Sequence, residues 1–179
     1  GISERWFTPV MQGFLQCQDV PGRDGKMLLV LLARRSCRHA GTRYNARGLD
    51  DDAEAANWVE TEMLVKFPDE HWISLTQVRG SAPVFWEQRS SVANVLTTRS
   101  LKLTLLAFQR HQELLQEEYG EVFNVSLLSE AASKRETEGV LTEALREQVR
   151  LYPRCRFKHL DLHARVTGEE EKFSNELDT

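Results

Sequence analysis

From Leu101 onward the apolar pattern leaves room for little except helix and strand in alternation. Leu101 to Tyr119 carries apolar side chains at 105, 108, 114 and 115, and Gly120 stands where a helix C-cap belongs. Val122 to Leu128 is a short apolar strand. Thr137 to Leu151 is amphipathic, with Val140, Leu141, Ala144, Leu145 and Val149 on or near one face, and Pro153 ends it. Phe157 to His163 alternates with period two, as a strand does. Helix, strand, helix, strand in that order predicts parallel connections.

The first hundred residues read as strands and turns. Residues 5–17 are apolar, and their periodicity fits either a strand or a short helix. Pro21 to Gly25 is a turn. Lys26 to Arg34 is rich in Leu and Val and predicts a buried strand. Ser36 to Asp52 is polar, a long loop or hairpin tip. Trp58 to Phe67 and Trp72 to Val78 are strands separated by the turn Pro68-Asp69-Glu70. Gly80 and Pro83 break the second of them before Val84-Phe85-Trp86. The expected class is α/β, a mixed β-sheet flanked by helices. The acidic tail from Gly168 is expected to be a solvated loop or helix start.

Charge narrows the function. The formal net charge of −4 excludes coating of nucleic acid by bulk charge. That average conceals one run: Arg34, Arg35, Arg38, Arg43 and Arg47 fall within fourteen residues, with no acid among them. Guanidinium is always charged and pairs with phosphate in a bidentate fork. Gly41 and Gly48 let the backbone turn tightly and approach a ligand closely. The run is therefore either an anion site for phosphate groups or a solvated basic loop paired with Asp50, Asp51 and Asp52, or with Glu60 and Glu62.

Other residues carry weaker signals. Cys37 and Arg43 have the Cys-x5-Arg spacing of cysteine-dependent phosphatases, but chance supplies it readily among so many arginines. Cys17, Cys37 and Cys155 form no CxxC pair, so no zinc site is expected, and an odd, sparse count suits a reducing compartment. Asp161 and His163 end a predicted strand, where an Asp-x-His pair either orients a proton carrier or hydrogen-bonds structurally. Glu60 and Glu62 share a strand face, expected to be a solvated edge. His111 is expected to be a plain surface or core histidine. Trp6, Trp58, Trp72 and Trp86 are expected to be core anchors.

Two long runs, with shorter stretches upstream and downstream, resemble one family. Arg35 to Gly48 leads into Asp51-Asp52 and Ala56-Asn57-Trp58-Val59-Glu60-Thr61-Glu62. Thr76-Gln77-Val78-Arg79-Gly80-Ser81-Ala82-Pro83-Val84-Phe85-Trp86-Glu87-Gln88 continues the match. Trp6 to Phe14 lies upstream, and Ala107-Phe108-Gln109-Arg110-His111, Tyr119-Gly120 and Leu160-Asp161-Leu162-His163 lie downstream. Together they resemble the Sac-domain phosphoinositide phosphatases. Ser36-Cys37 ahead of the Ala-Gly-Thr-Arg run is closer to the synaptojanin-like branch.

The resemblance implies a cytoplasmic enzyme that removes phosphate from phosphatidylinositol phosphates at the cytosolic face of a membrane, without a cofactor or metal. In that family the nucleophile is the cysteine of a Cys-x5-Arg-Thr signature that follows the Asp-x-His strand. No such signature stands between residues 1 and 179, so the expectation is an inactive fragment: the first half of a larger phosphatase-like catalytic subdomain, with no catalytic residue of its own. Its partners would be phosphoinositide lipids at an anionic surface and the rest of the Sac domain, not nucleic acid. Arg38, Arg43, Arg47 and Arg79 are the head-group candidates, with Asn45, Asp161 and His163 supporting the site. The alternative is a Sac-like module that binds phosphoinositides or proteins without catalysis.

Overall fold

The computed structural model describes residues 10–23, 25–38, 47–88, 94–130 and 136–162. Trp6 and the acidic tail from Gly168 lie outside the described residues. The chain divides into two compact units, one from residues 1–42 and 57–80, the other from 43–56 and 81–179. Among the described residues no helix is long and apolar enough to cross a membrane.

The first unit is a four-stranded antiparallel meander: β1 (Gly13–Gly22), β2 (Gly25–Arg35), β3 (Val59–Lys66) and β4 (Trp72–Arg79), paired in that order. Gly22 faces Gly25 across the first hairpin, and Gly25 has a φ of 136° that a side chain would resist. Between β3 and β4 the Phe67 amide donates to the His71 carbonyl at 2.9 Å, and Glu70 turns the chain with a φ of 69°. The predicted turns and strands are therefore present. The first apolar stretch resolves as strand from Gly13 onward.

Two expectations about apolar burial in this unit need correction. The apolar run at β2 is half-buried, not fully buried. It is apolar throughout because β2 is an interior strand with apolar side chains on both faces: Leu29 and Leu31 on one, Leu28, Val30 and Leu32 on the other. Trp72 is no core anchor; it is 50% exposed on the outer strand β4.

In the second unit, β5 (Trp86–Glu87) pairs antiparallel with β6 (Leu96–Thr97). Helix α1 (Leu101–Tyr119) opens on Ser100, whose hydroxyl accepts from the Leu103 amide. It closes on Gly120 at φ 76°, with the Gly120 amide bonded to the Gln116 carbonyl at 3.0 Å. Then come β7 (Phe123–Ser126), α2 (Glu136–Leu151) and β8 (Arg156–His159), and β7 and β8 run parallel, as the alternation predicts.

The face that α1 buries is more polar than its apolar residues suggest: Thr104, Phe108, His111, Gln112 and Leu115. Phe108 packs with Leu145 and Cys155, and meets Tyr152 edge-on at 6.3 Å. A second cluster joins Val84, Trp86, Val95 and Leu141. Trp86 is thus the core anchor expected of it. With an antiparallel sheet, a parallel pair and helices α1 and α2 among the described residues, the class is α/β.

Candidate functional site

The arginine run begins where β2 ends. Arg34 stands opposite Glu60 in the register, forms an ion pair with it, and lies 3.7 Å from Glu62. Both carboxylates thus sit on interior strand β3 and meet a cation, so they are not a solvated edge. Glu62 also accepts from the Ser74 hydroxyl at 2.9 Å. Arg35 donates to the Asn57 side chain at 3.4 Å. Its backbone amide bonds to the Gln12 carbonyl, and the next amide, Ser36, to the Trp58 carbonyl at 3.0 Å. The Ser36 hydroxyl accepts from the Arg38 amide at 3.1 Å, turning the chain with the Arg38 side chain exposed.

Arg79 belongs to the same end of the sheet. Arg35, Val59 and Arg79 occupy one cross-strand row on one face. Two strand spacings separate the two arginines, about 10 Å. Arg79 is exposed. Register thus places this arginine, more than forty positions away in sequence, beside the start of the run.

Arg47 belongs to the second unit and is held there. Its guanidinium lies 5.0 Å from the centroid of the Trp86 ring and donates to the Gln88 side chain at 3.0 Å. Gly48 follows with φ +66°. A Cβ at that position would overlap the Val84 carbonyl oxygen and come within 2.7 Å of the Trp86 ring, so only glycine fits. The Leu49 amide donates to the Val84 carbonyl at 3.0 Å, and the Ser81 amide to the Ala56 carbonyl at 2.8 Å. The two long sequence runs that carry the family resemblance are therefore joined in space, the Arg-Gly step of one seated against the Val-Phe-Trp-Glu-Gln of the other.

Residues 48–56 form a tight, largely buried loop. The Ala56 amide bonds to the Gly48 carbonyl at 2.9 Å, and Leu49 bridges Ala55. The Asp50 carboxylate accepts from the amides of Asp52 at 3.0 Å and Glu54 at 2.8 Å. Asp51 pairs with Arg99, which lies outside the arginine run, and Arg99 stacks 4.1 Å from the Phe85 ring centroid. The His111 ring donates from Nδ1 to the Ala53 carbonyl at 2.9 Å. Burial lowers the His111 pKa below its ordinary 6.5; that bond and Asp50 act against the shift. This histidine is a core residue with a polar task.

Asp161 lies just past β8, where the Glu130 amide donates to its carboxylate at 2.7 Å. It thereby ties the segment leaving β7 to the segment leaving β8. Glu130 also pairs with Arg146 and lies 3.3 Å from His159 Nε2. Arg43, Asn45 and His163 lie outside the described residues. Cys17 and Cys37 are exposed, and Cys155 is buried, its thiol pushed up to about 11 by desolvation. Sequence reasoning missed Trp86, Gln88 and Asn57 as arginine partners. Their position inside the long motif runs is the signal that pointed to them.

The chain matches the family model of the SacI homology domain over residues 2–167. It is 36% identical over 173 residues to the inositol-1,4,5-trisphosphate 5-phosphatase 1 of Schizosaccharomyces pombe, covering 93% of the chain and 16% of that protein. It is 41% identical over 135 residues to the polyphosphatidylinositol phosphatase INP53 of Saccharomyces cerevisiae, covering 74% of the chain and 12% of that protein. Human synaptojanin-1 is 32% identical over 179 residues, covering 96% of the chain and 11% of that protein. The chain thus spans a sixth or less of the length of these relatives. On this match the chain belongs to the SacI homology domain family.

Proposed function

We propose that this chain is the part of a phosphoinositide phosphatase that presents arginines to the phosphates of an inositol lipid head group. The observation that carries the reading is Arg47: a guanidinium fixed against Trp86 and Gln88, next to a glycine whose backbone packs against Val84 and Trp86. A cation already held in place loses less freedom when it binds an anion. Arg38, Arg43 and Arg79 add positive potential, and each cation near an anionic leaflet contributes about 1 kcal/mol of attraction.

The phosphoryl transfer itself is assigned to a cysteine outside residues 1–179. Its thiolate attacks phosphorus in line and the bond from phosphorus to the inositol oxygen breaks. The departing oxygen takes a proton, and water then cleaves the sulfur–phosphorus bond to release phosphate. The names of the relatives support phosphatase chemistry on inositol phosphates. Asn45, Asp161 and His163 are proposed to support the site without touching phosphorus. The setting proposed is the cytosolic surface of an anionic membrane.

The test is turnover by the full-length protein on vesicles carrying phosphatidylinositol phosphates, with Arg43→Ala and Arg47→Ala. Both variants are expected to lose binding and turnover about tenfold with the fold intact, the worth of one charge-assisted phosphate contact. Unchanged binding and turnover would sink the reading. Binding without any turnover in the unaltered protein would favour a phosphoinositide-binding module instead.

A further inference from the structure

The loop that carries Arg47 into the second unit has an anchor that the proposed head-group chemistry does not use. Ala53 lies at its apex with φ 64°, a left-handed conformation that an alanine adopts only when its surroundings impose it. Its amide donates to the Asp50 carbonyl at 3.1 Å, and its carbonyl receives the His111 Nδ1 proton at 2.9 Å. Both residues are buried, Ala53 at 3% and His111 at 6% exposure. A carbonyl cannot donate, so the imidazole carries its proton on Nδ1.

His111 stands on the face of α1 that also buries Phe108, Gln112 and Leu115. The helix is therefore a fixed base, and the imidazole is the arm it extends to the loop. From Ala53 the loop's own bonds lead back to Arg47. Ala53 is tied to Asp50, whose amide bonds to the Glu54 carbonyl at 3.1 Å. Leu49 bridges Ala55, and the Ala56 amide holds the Gly48 carbonyl. Gly48 is the residue after Arg47. Every one of these connections lies within the second unit.

We propose that His111 is a positioning residue: by holding the Ala53 carbonyl to helix α1 it fixes the loop that orients the Arg47 guanidinium for phosphate. The proposal rests on the head-group role of Arg47 given above. It makes the orientation of a cation near one end of the loop depend on a histidine that stands 64 positions away in sequence. An apolar residue of similar bulk would fill the space and leave the loop without its clasp. Asparagine would restore a donor at close to the Nδ1 position.

The experiment uses the full-length protein with Arg47→Ala, His111→Leu, His111→Asn and the double variant Arg47→Ala with His111→Leu. One readout is the affinity for soluble inositol trisphosphate by calorimetry. The other needs no ligand: the NMR signal of the Arg47 Nε–H group. His111→Leu is expected to shift and broaden that signal and to weaken binding about tenfold. His111→Asn is expected to restore both, and His111→Leu to add no further loss once Arg47 is alanine. Should His111→Leu fail to fold, His111→Phe keeps the ring without the donor and carries the same expectation.

Losses that simply add in the double variant, or an Arg47 signal that His111→Leu leaves unchanged, would overturn the proposal. Failure of the head-group reading looks different. Arg47→Ala would then bind inositol trisphosphate normally, while His111→Leu would still disturb the Arg47 signal.

Discussion

Gln112 and Asn124 grip each other by both ends of their amides. Gln112 donates to the Asn124 carbonyl oxygen at 3.3 Å, and Asn124 donates back to the Gln112 oxygen at 2.9 Å. The pair ties α1 to β7, and Asn124 also reaches the Arg156 carbonyl at 3.3 Å on β8. Gln112 is 1% exposed, so no water replaces a lost partner easily. Gln112→Leu keeps the bulk but strips Asn124 of both its bonds to Gln112, leaving those to Arg156 and Cys155. It is expected to destabilise the protein by about 1–3 kcal/mol, read from denaturant unfolding. An unchanged midpoint would count against the pair.

Gly48 allows no side chain. Gly48→Ala would place a Cβ against the Val84 carbonyl at a φ of +66°. The backbone conformation alone costs about 1–3 kcal/mol, and the overlap adds to it. The variant is expected to unfold earlier and to bind head groups more weakly. Equal stability and binding would show that the loop relaxes without penalty.

His111 gives the protein an acid-side sensitivity. Its pKa in the folded state lies below the ordinary value of 6.5, chiefly through burial. Above about 6.5 the ring is neutral whether the chain is folded or not. As the pH falls below that value the unfolded ring takes a proton that the folded one resists, so stability drops until the folded pKa is reached. The difference in unfolding midpoint between the native protein and His111→Asn is expected to grow smaller or reverse from pH 7 to pH 5. A constant difference would rule out this histidine as the source.

The thiols should separate by rate. Cys17 and Cys37 are exposed and are expected to react with a thiol reagent in the native protein. Cys155 is buried, accepts a bond from Asn124 at 3.4 Å, and holds its proton up to about 11. Its labelling is expected only after denaturant is added, and mass spectrometry of the modified peptides reads the order directly.

Much of this was legible in the sequence, because many of the signals are local. Helix α1 ends where Gly120 says it should, and α2 begins one residue ahead of the amphipathic stretch. The turn at Pro68 and the strands either side of it follow from neighbouring residues. What sequence could not give depends on distant partners. The buried face of α1 includes His111 and Gln112 because a carbonyl at 53 and an amide at 124 wait opposite them. Trp72 looks like a core residue until the sheet order places it on an outer strand. Glu60 and Glu62 meet Arg34 only through the pairing of β2 with β3. At the candidate site the arginines were visible as a cluster. Their division between a sheet end and a loop held by Trp86 and Gln88 was not, since register and a left-handed glycine decide it.

The excursion between β2 and β3 sets an order in time. It leaves and rejoins the sheet at the Ser36 amide and Trp58 carbonyl, so its stems are pinned together by the meander itself. All four strands of that meander have been synthesised by residue 80, whereas the clasp for Ala53 is not made until residue 111. The stems at Ser36 and Trp58 are thus closed by contacts made within the first 80 residues, whereas the fastening at Ala53 needs the chain as far as His111. Closing the stems early leaves α1 less entropy to overcome, because the ends are already together when the histidine arrives.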